Sequence, residues 1–207
     1  MAVDSLSEKG RPHLTVEENV AKAVCEAYDL DVQKSNDPNY PIDRVFHHSV
    51  QRIADGEGTA REKARRILHP TPSSIVEIKH RAGSPMVNYQ PGGAFYPDGL
   101  IITAAKIDRG IRLSELYRVP FIVIAVLETF AHKPEVAGWA VTEIKDRGEA
   151  TVPFPRLQRH ITGQETVNGG IKRELCDLLP CDHMKELTKV TEAYRRIVDQ
   201  TVSCNAA

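Results

Sequence analysis

The chain has 207 residues, of which 41% are hydrophobic and 27% charged, a composition that suits one globular domain with a sizeable core. Its formal net charge of −1 excludes a general attraction to polyanions, so any binding of nucleic acid must come from a local basic face. No run of about 18 to 20 apolar residues could span a bilayer, and residues 1–12 lack an apolar signal region. We therefore expect a cytoplasmic protein with no membrane partner.

The four cysteines, Cys25, Cys176, Cys181 and Cys204, do not form the pattern of a disulfide framework. Cys176, Cys181 and His183 lie close together in the sequence, but a fourth zinc ligand is lacking and their spacing is not that of a common zinc motif. Reduced cysteines with a structural role are the expectation.

A helix is predicted to begin at Thr15, after a flexible tail formed by residues 1–14. Thr15 can cap this helix, and Glu18 three residues later completes a capping box. Apolar residues follow at helical spacing and form one buried face: Val16, Val20, Val24 and Ala27. Glu17 lies at the edge of that face, where it could reach a site or simply complement the helix dipole.

Turn-forming residues in 29–39 indicate a loop, and residues 40–46 can form a strand or the start of a helix. Asp43 lies in that stretch, where its simplest role is that of a solvated side chain or a helix cap. Thr59 can cap a second helix over 60–68. The residues predicted to face inward are Ala60, Ala64, Ile67 and Leu68, and the opposite side carries Arg61, Lys63, Arg65 and Arg66. A charged helix face is usually solvated, but beside a metal site it could contact phosphates.

The segment Ile-Val-Glu-Ile-Lys around Glu77 predicts a short strand. Side chains alternate along a strand, so Glu77 and Lys79 share one face while Val76 and Ile78 point into a core on the other. A carboxylate and an ammonium on one face suit metal-assisted phosphate chemistry, because Glu77 can hold a divalent cation and Lys79 can polarise a water. Asp43 is the best-placed second carboxylate for such a site.

Residues 82–99, rich in glycine and proline, are predicted to form a long ordered loop. Thr103 can then cap a helix that runs to about Arg118, and Lys106 and Arg109 lie three apart on a basic stripe of that helix.

The continuous apolar run at 120–126 predicts a central strand that is buried on both faces. Residues 139–144 alternate well enough for a neighbouring strand, and 149–181 are predicted to be irregular. An amphipathic helix capped by Asp182 is predicted to end the chain, with an apolar stripe that suits a core and could also support a dimer.

This order of elements resembles the PD-(D/E)XK nuclease superfamily. A glutamate-bearing helix is followed by Asp43 in an extended stretch, then by Glu77-x-Lys79, a basic helix and a buried strand. The resemblance covers residues 15–145 and implies an α/β fold like that of restriction endonucleases, with a mixed central sheet flanked by helices. Residues 146–207 would add a C-terminal helical segment, so that one domain fills 15–207.

The resemblance implies a magnesium-dependent deoxyribonuclease, an endonuclease or exonuclease that hydrolyses phosphodiester bonds, with Mn²⁺ able to replace Mg²⁺. Asp43, Glu77 and the backbone carbonyl of Ile78 would hold the metal, and Lys79 would orient or activate the attacking water. Glu17, with Glu18 as the fallback, would reach toward this site from the first helix. The expected contacts to nucleic acid are Arg81, Lys106 and Arg109.

Several alternatives stay open. The chain could be a non-catalytic protein of the same fold that binds nucleic acid or acts in an assembly, and a homodimer would suit the cutting of two strands. Glu77 and Lys79 could also form only a surface ion pair on an unrelated scaffold. Asp98, in a literal Pro-Asp pair, ranks second to Asp43 as the site aspartate, and the second Glu-Ile-Lys triplet at 143–145 is predicted to be structural.

Overall fold

The computed structural model describes residues 11–34, 44–81, 88–89, 95–96, 99–128, 134–144, 150–151, 160–165, 171–180 and 185–205. The helices are α1 (Arg11–Tyr28), α2 (Val50–Asp55), α3 (Ala60–Leu68), α4 (Ala104–Tyr117) and α5 (Thr188–Asn205). The first seven strands are β1 (Leu30–Lys34), β2 (Arg44–His48), β3 (Pro72–Arg81), β4 (Asn88–Tyr89), β5 (Phe95–Tyr96), β6 (Gly99–Thr103) and β7 (Phe121–Glu128). The others are β8 (Pro134–Ala140), β9 (Glu143–Ile144), β10 (Ala150–Thr151), β11 (His160–Glu165), β12 (Ile171–Pro180) and β13 (Lys185–Glu186).

A mixed six-stranded sheet forms the centre of the fold, with the strand order β1-β2-β3-β7-β8-β13. β3 and β7 are parallel, whereas the other neighbouring pairs in this sheet are antiparallel. Helices pack on the sheet, so the predicted α/β fold with a mixed central sheet is confirmed. The predicted strand at 139–144 is displaced, because β8 ends at Ala140 and residues 143–144 pair instead with β10.

Both faces of the central sheet are buried, as the continuous apolar run of β7 predicts. On one face, side chains of the sheet pack with α1 and α5 in a cluster that includes Phe46, Val76, Ile78, Ile124, Val20, Val190 and Tyr194. On the other face, a second cluster includes Ile75, Phe121, Val123 and Trp139 together with Ile107 of α4 and Leu100 and Ile102 of β6. β3 and β7 contribute alternate side chains to both clusters, which makes them the most enclosed strands.

A smaller sheet with the order β11-β12-β6 lies on the α4 side of the molecule. Leu179 of β12 joins Leu100, Ile102 and Ile107 in one apolar cluster. The prediction that residues 149–181 are irregular is therefore wrong for β11 and β12. The first half of β12 is charged (Lys172, Arg173 and Glu174), so local patterns do not predict a strand there. Long-range pairing of the second half with β6 stabilises β12.

The first helix begins at Arg11, four residues before the predicted start. Thr15 lies inside α1 and is not its cap, so the predicted capping box with Glu18 is wrong. The C-terminal helix is described from Thr188, and its predicted cap, Asp182, lies outside the described residues. The apolar stripe of α5 packs against α1 and the sheet, so it belongs to the core.

Helix α3 has the predicted cap but not the predicted burial. Thr59 Oγ1 accepts a hydrogen bond from the Glu62 backbone N–H at 3.3 Å, and Glu62 Oε2 accepts one from the Thr59 N–H at 2.8 Å. No residue of α3 is buried, and Leu68 is 74% exposed. The prediction that its apolar side faces inward is wrong, because α2 and α3 are inserted between β2 and β3, outside the layers that enclose the core. There, side chains of α3 donate hydrogen bonds to backbone carbonyls of α2 and of the turn that follows it.

Helix α4 has the predicted bounds, with Thr103 at its N-cap and Arg118 at its C-cap in the left-handed region, at a φ of 55°. The helix packs closely on β7 at Gly110, where an added Cβ would overlap the ring of Phe121. Phe121 is fully buried and has little room to move. This close approach fixes the height of α4 above the sheet and therefore the position of its first turn.

We expect Gly110→Ala to destabilise the protein by about 1–3 kcal/mol, because the strain of overpacking exceeds the higher helix propensity of alanine. The measurement is the midpoint of urea unfolding followed by circular dichroism. Arg112→Ala, at an exposed position of the same helix, is the control and should change stability by less than about 0.5 kcal/mol. An unchanged or higher midpoint for Gly110→Ala would contradict this packing.

Candidate functional site

Glu77 is a fully buried carboxylate on the central strand β3. The predicted alternation is confirmed, since Val76 and Ile78 pack into the cluster with α1 and α5 while Glu77 projects to the α4 side. A charged group is costly to bury unless it is paired and hydrogen-bonded. The burial of Glu77 therefore requires partners on the α4 side.

Two lysines supply these partners, and both contact the same oxygen of Glu77. The Nζ atom of Lys79 lies 2.6 Å from Glu77 Oε1, and the Nζ atom of Lys106 lies 2.5 Å from it. The side chains of Lys79 and Lys106 are 23% and 19% exposed, so the two ammonium groups lie between the buried carboxylate and the solvent. We call these three residues the Glu77 cluster. The three side chains of the cluster carry one negative and two positive charges between them.

The chain path explains how Lys106 reaches Glu77. The Ile75 N–H donates to the Pro120 carbonyl at 2.9 Å, which places the C-terminal end of α4 beside the start of β3. The helix therefore runs back across the sheet, and its first turn lies over the second half of β3. Lys106 in that turn contacts Glu77, a contact that was not predicted from the sequence, and its expected contact with phosphate stays a prediction.

The first helix, α1, carries Glu17 and Glu18, the two candidates predicted to reach toward the metal site. α1 packs on the sheet face opposite the one that carries Glu77. Glu18 lies near the position of Glu77 along the strands. Its Oε1 atom is 3.5 Å from the guanidinium of Arg44, and Arg44 pairs with Val76, the residue before Glu77. The role of Glu17 at the Glu77 cluster stays a prediction.

Of the other predicted site residues, the structure describes Arg81, Arg109 and Ile78. Asp43 lies outside the described residues, and so does the alternative Asp98. Arg81 ends β3, where it pairs with Leu127. Arg109 is half-buried on α4, one turn after Lys106. Ile78 pairs with Ile124, and its side chain lies in the core.

The structure reveals a further buried acid, Asp177 of β12, which is 2% exposed. Asp177 pairs with Ile102, and cross-strand partners project to the same face of a sheet, so its carboxylate faces the α4-side core. The sequence contains only a weak signal for this residue. Asp177 lies between Cys176 and two leucines, and its burial could be predicted only if this segment had first been predicted to be a strand.

Cys25 is a poor candidate for a reactive thiol, because burial and then the nearby Asp31 raise its pKa to about 11. The thiol of Cys25 is therefore protonated at neutral pH, and a thiolate is needed for nucleophilic attack or metal ligation. Among the described residues, no group of three or more His, Cys, Asp or Glu side chains could hold a metal ion. Whether Glu77 holds a metal therefore stays a prediction.

No family model, curated protein or solved structure matches the chain. The family resemblance noted from the sequence is therefore an interpretation of residues and topology. Within the described part of the chain, no helix is both long and apolar enough to cross a membrane.

We expect Lys106→Met to destabilise the protein by about 1–3 kcal/mol, because it removes one of the two ammonium groups that contact a buried carboxylate. In a Glu77→Gln background the same substitution should cost much less, since the charge that needs compensation is gone. Urea unfolding of the four proteins in this double-mutant cycle measures the difference. Lys189→Met, on the exposed side of α5, is the matched control. Equal costs in both backgrounds would show that Lys106 does not stabilise Glu77.

Proposed function

We propose that this protein is a metal-dependent nuclease that hydrolyses phosphodiester bonds, with DNA as its substrate. The single observation that carries the proposal is the Glu77 cluster, in which Oε1 of a fully buried glutamate on a central strand contacts both Lys79 and Lys106. A buried charge on the most enclosed strand of a sheet is seldom the most stable choice for that position. Perturbed charge of this kind clusters at functional sites.

The order of elements supports the same proposal. α1 is followed by three antiparallel strands, β1, β2 and β3, and then by α4 and the parallel strand β7. The resemblance to PD-(D/E)XK nucleases implies a helix, an extended stretch, the strand with Glu77 and Lys79, a basic helix and a buried strand, and the observed order is compatible with it. The insertion of α2 and α3 between β2 and β3 lengthens one connection without changing the pairing of the strands.

The metal site of such an enzyme would use oxygen ligands, which Mg²⁺ and Mn²⁺ accept. Glu77 and the Ile78 carbonyl are oxygen donors on β3, and Asp43 would be the second carboxylate. Arg44 pairs with Val76 in the antiparallel ladder, so the described part of β2 begins one residue pair from the level of Glu77. The proposal requires β2 to continue by that one pair, which would set residue 43 opposite Glu77 on the same face.

The residues of the chain would then divide the chemistry between them. A bound divalent cation would lower the pKa of a water and neutralise charge on the phosphate. Lys79 would orient the attacking water, because its ammonium group is held beside the carboxylate at 2.6 Å. Lys106 would contact the phosphate, and Arg81 and Arg109 would extend the basic surface along the substrate. Glu17 would hold a water or a second ion if α1 reaches round the sheet.

A second candidate function is favoured by one specific feature. The three side chains of the cluster include two ammonium groups, and ammonium groups could bind a phosphate without a metal. Glu77 would then act as a counter-ion that holds the two lysines together. The protein would be a non-catalytic nucleic-acid-binding or assembly protein on the same scaffold, as a monomer or a homodimer.

The test of the nuclease is cleavage of supercoiled, linear, single-stranded and branched DNA in the presence of Mg²⁺, Mn²⁺ or EDTA. We expect cutting with either metal and none with EDTA. Lys79→Ala, Glu77→Gln and Asp43→Asn should each reduce the rate by at least about 100-fold, because each removes a group that acts on the water or the metal. Lys189→Ala is the control for loss of one lysine and should cut as the wild type does.

Each other outcome has a defined meaning. Cutting that survives Lys79→Ala and Glu77→Gln would show that the activity comes from a different site or a contaminant. Loss of activity in Lys79→Ala without loss in Asp43→Asn would reject Asp43 as a ligand and move attention to another acid. An absence of cutting on every substrate, together with metal-independent binding in gel shifts, would favour the non-catalytic function.

A further inference from the structure

The connection between β2 and β3 contains an amphipathic helix that contributes nothing to the core. We call residues 50–68, with α2 and α3, the α2–α3 hairpin. No residue of either helix is buried. A helix of nine residues is too short to be stable in isolation, so the polar contacts at its ends must hold it. A tight turn would join two antiparallel strands at less cost, which makes the hairpin a candidate for a function of its own.

Polar contacts within the hairpin engage some of its basic residues and not others. Lys63 Nζ donates to the Ala54 carbonyl at 2.7 Å, and Arg66 donates to the Glu57 carbonyl at 3.3 Å. The backbone N–H of Thr59, its hydroxyl and the charge of Arg66 hold the pKa of Glu62 below its ordinary value, so Glu62 and Arg66 also form an opposite-charge pair. Lys63 and Arg66 therefore fix the shape of the hairpin.

Arg61 and Arg65 form a different group, which we call the arginine pair. They lie four residues apart, so they share one exposed face of α3, and Leu68 extends that face by one more turn. Within the described part of the chain, neither arginine side chain makes an ion pair. Like charges at this spacing repel each other and weaken a helix by about 0.2–0.5 kcal/mol. A polyanion bound across both side chains would relieve that repulsion.

The position of the hairpin separates it from the Glu77 cluster. α3 is followed by the start of β3 at Pro72, and the step from Pro72 to Glu77 spans about 16 Å at a rise of about 3.3 Å per residue. The α2–α3 hairpin therefore leads into the end of β3 that lies away from the Glu77 cluster. On a duplex, about 16 Å corresponds to about five base pairs, so one nucleic acid could contact both places.

We propose that the α2–α3 hairpin is a second nucleic-acid contact, in which Arg61 and Arg65 bind backbone phosphates of a duplex whose other part lies at the Glu77 cluster. The inference rests on the proposed function for the substrate class, but it concerns binding and not cleavage. Guanidinium groups suit phosphate oxygens because they donate two parallel hydrogen bonds. Contacts of this kind position a duplex without reading its sequence.

The test is equilibrium binding by fluorescence anisotropy in EDTA, so that no cleavage occurs. The probes are a duplex of about 24 base pairs and a hairpin-capped duplex of about 3 base pairs, which at about 10 Å is too short to reach both places. We expect Arg61→Gln/Arg65→Gln to weaken binding of the long duplex by at least about fivefold. The slope of log K against log salt should fall by about two, one unit for each phosphate that is no longer bound. Binding of the short duplex should change little.

Two further variants separate this contact from general charge and from misfolding. Lys22→Gln/Lys189→Gln removes the same charge from exposed positions on α1 and α5 and should leave both affinities unchanged. Arg61→Lys/Arg65→Lys keeps the charge and should retain most of the affinity and the salt slope. Circular dichroism and the thermal midpoint should be the same in all three variants, because no residue of α3 supports the core.

The outcomes distinguish this inference from the nuclease proposal. If Arg61→Gln/Arg65→Gln binds the long duplex as the wild type does, the second contact is overturned, whether or not the protein cleaves DNA. If the variant loses affinity and salt dependence but no DNA is ever cut, the second contact stands and the nuclease proposal fails. Equal weakening by the Lys22/Lys189 control would also overturn it, since the effect would then be one of total charge.

Discussion

The parallel pairing of β3 with β7 is the constraint on which the rest of the structure depends. Antiparallel neighbours can be joined by a short turn, but a parallel pair needs a connection that carries the chain back across the sheet. Here that connection includes β6 and α4, and α4 packs so closely on β7 that Gly110 lies against the ring of Phe121. The first turn of α4 is thereby fixed over the second half of β3. Lys106 and Glu77, which are distant in sequence, meet as a direct consequence.

The buried carboxylate of Glu77 has a cost that the two lysines must offset. Both ammonium groups contact the same oxygen, Oε1, and so share the compensation of its charge. Because Lys79 and Lys106 are each partly exposed, their ammonium groups keep some hydration and can exchange a contact with the carboxylate for a contact with a ligand. This partial exposure of charged groups at a buried carboxylate is the physical reason to propose the cluster as a binding site.

The sequence predicts those parts of the structure that depend on local patterns. Alternation along β3 places Glu77 and Lys79 on one face, and the start signal at Thr103 places Lys106 in the first turn of α4. Long-range partners decide the rest. The charged first half of β12 forms a strand because β11 pairs with it, and the pairing of the second half with β6 accompanies the burial of Asp177. α3 has an apolar side that local periodicity predicts to be inward, but none of its residues is buried. Tertiary packing likewise places α1, the helix that carries Glu17, on the sheet face opposite Glu77.

A net charge of −1 means that attraction to a polyanion must come from separate basic places on the surface. The described residues include two such places, the Glu77 cluster and the arginine pair of α3, and they lie about 16 Å or more apart along β3. The Debye length at physiological ionic strength is about 8 Å, so neither place strengthens the field of the other appreciably. Only a ligand that spans both can combine them, and the second contact then forms at a high effective concentration. A long nucleic acid satisfies this geometry, whereas a nucleotide or a short oligomer does not. Under the proposed function, linking two weak contacts in this way would select for the length of the polyanion.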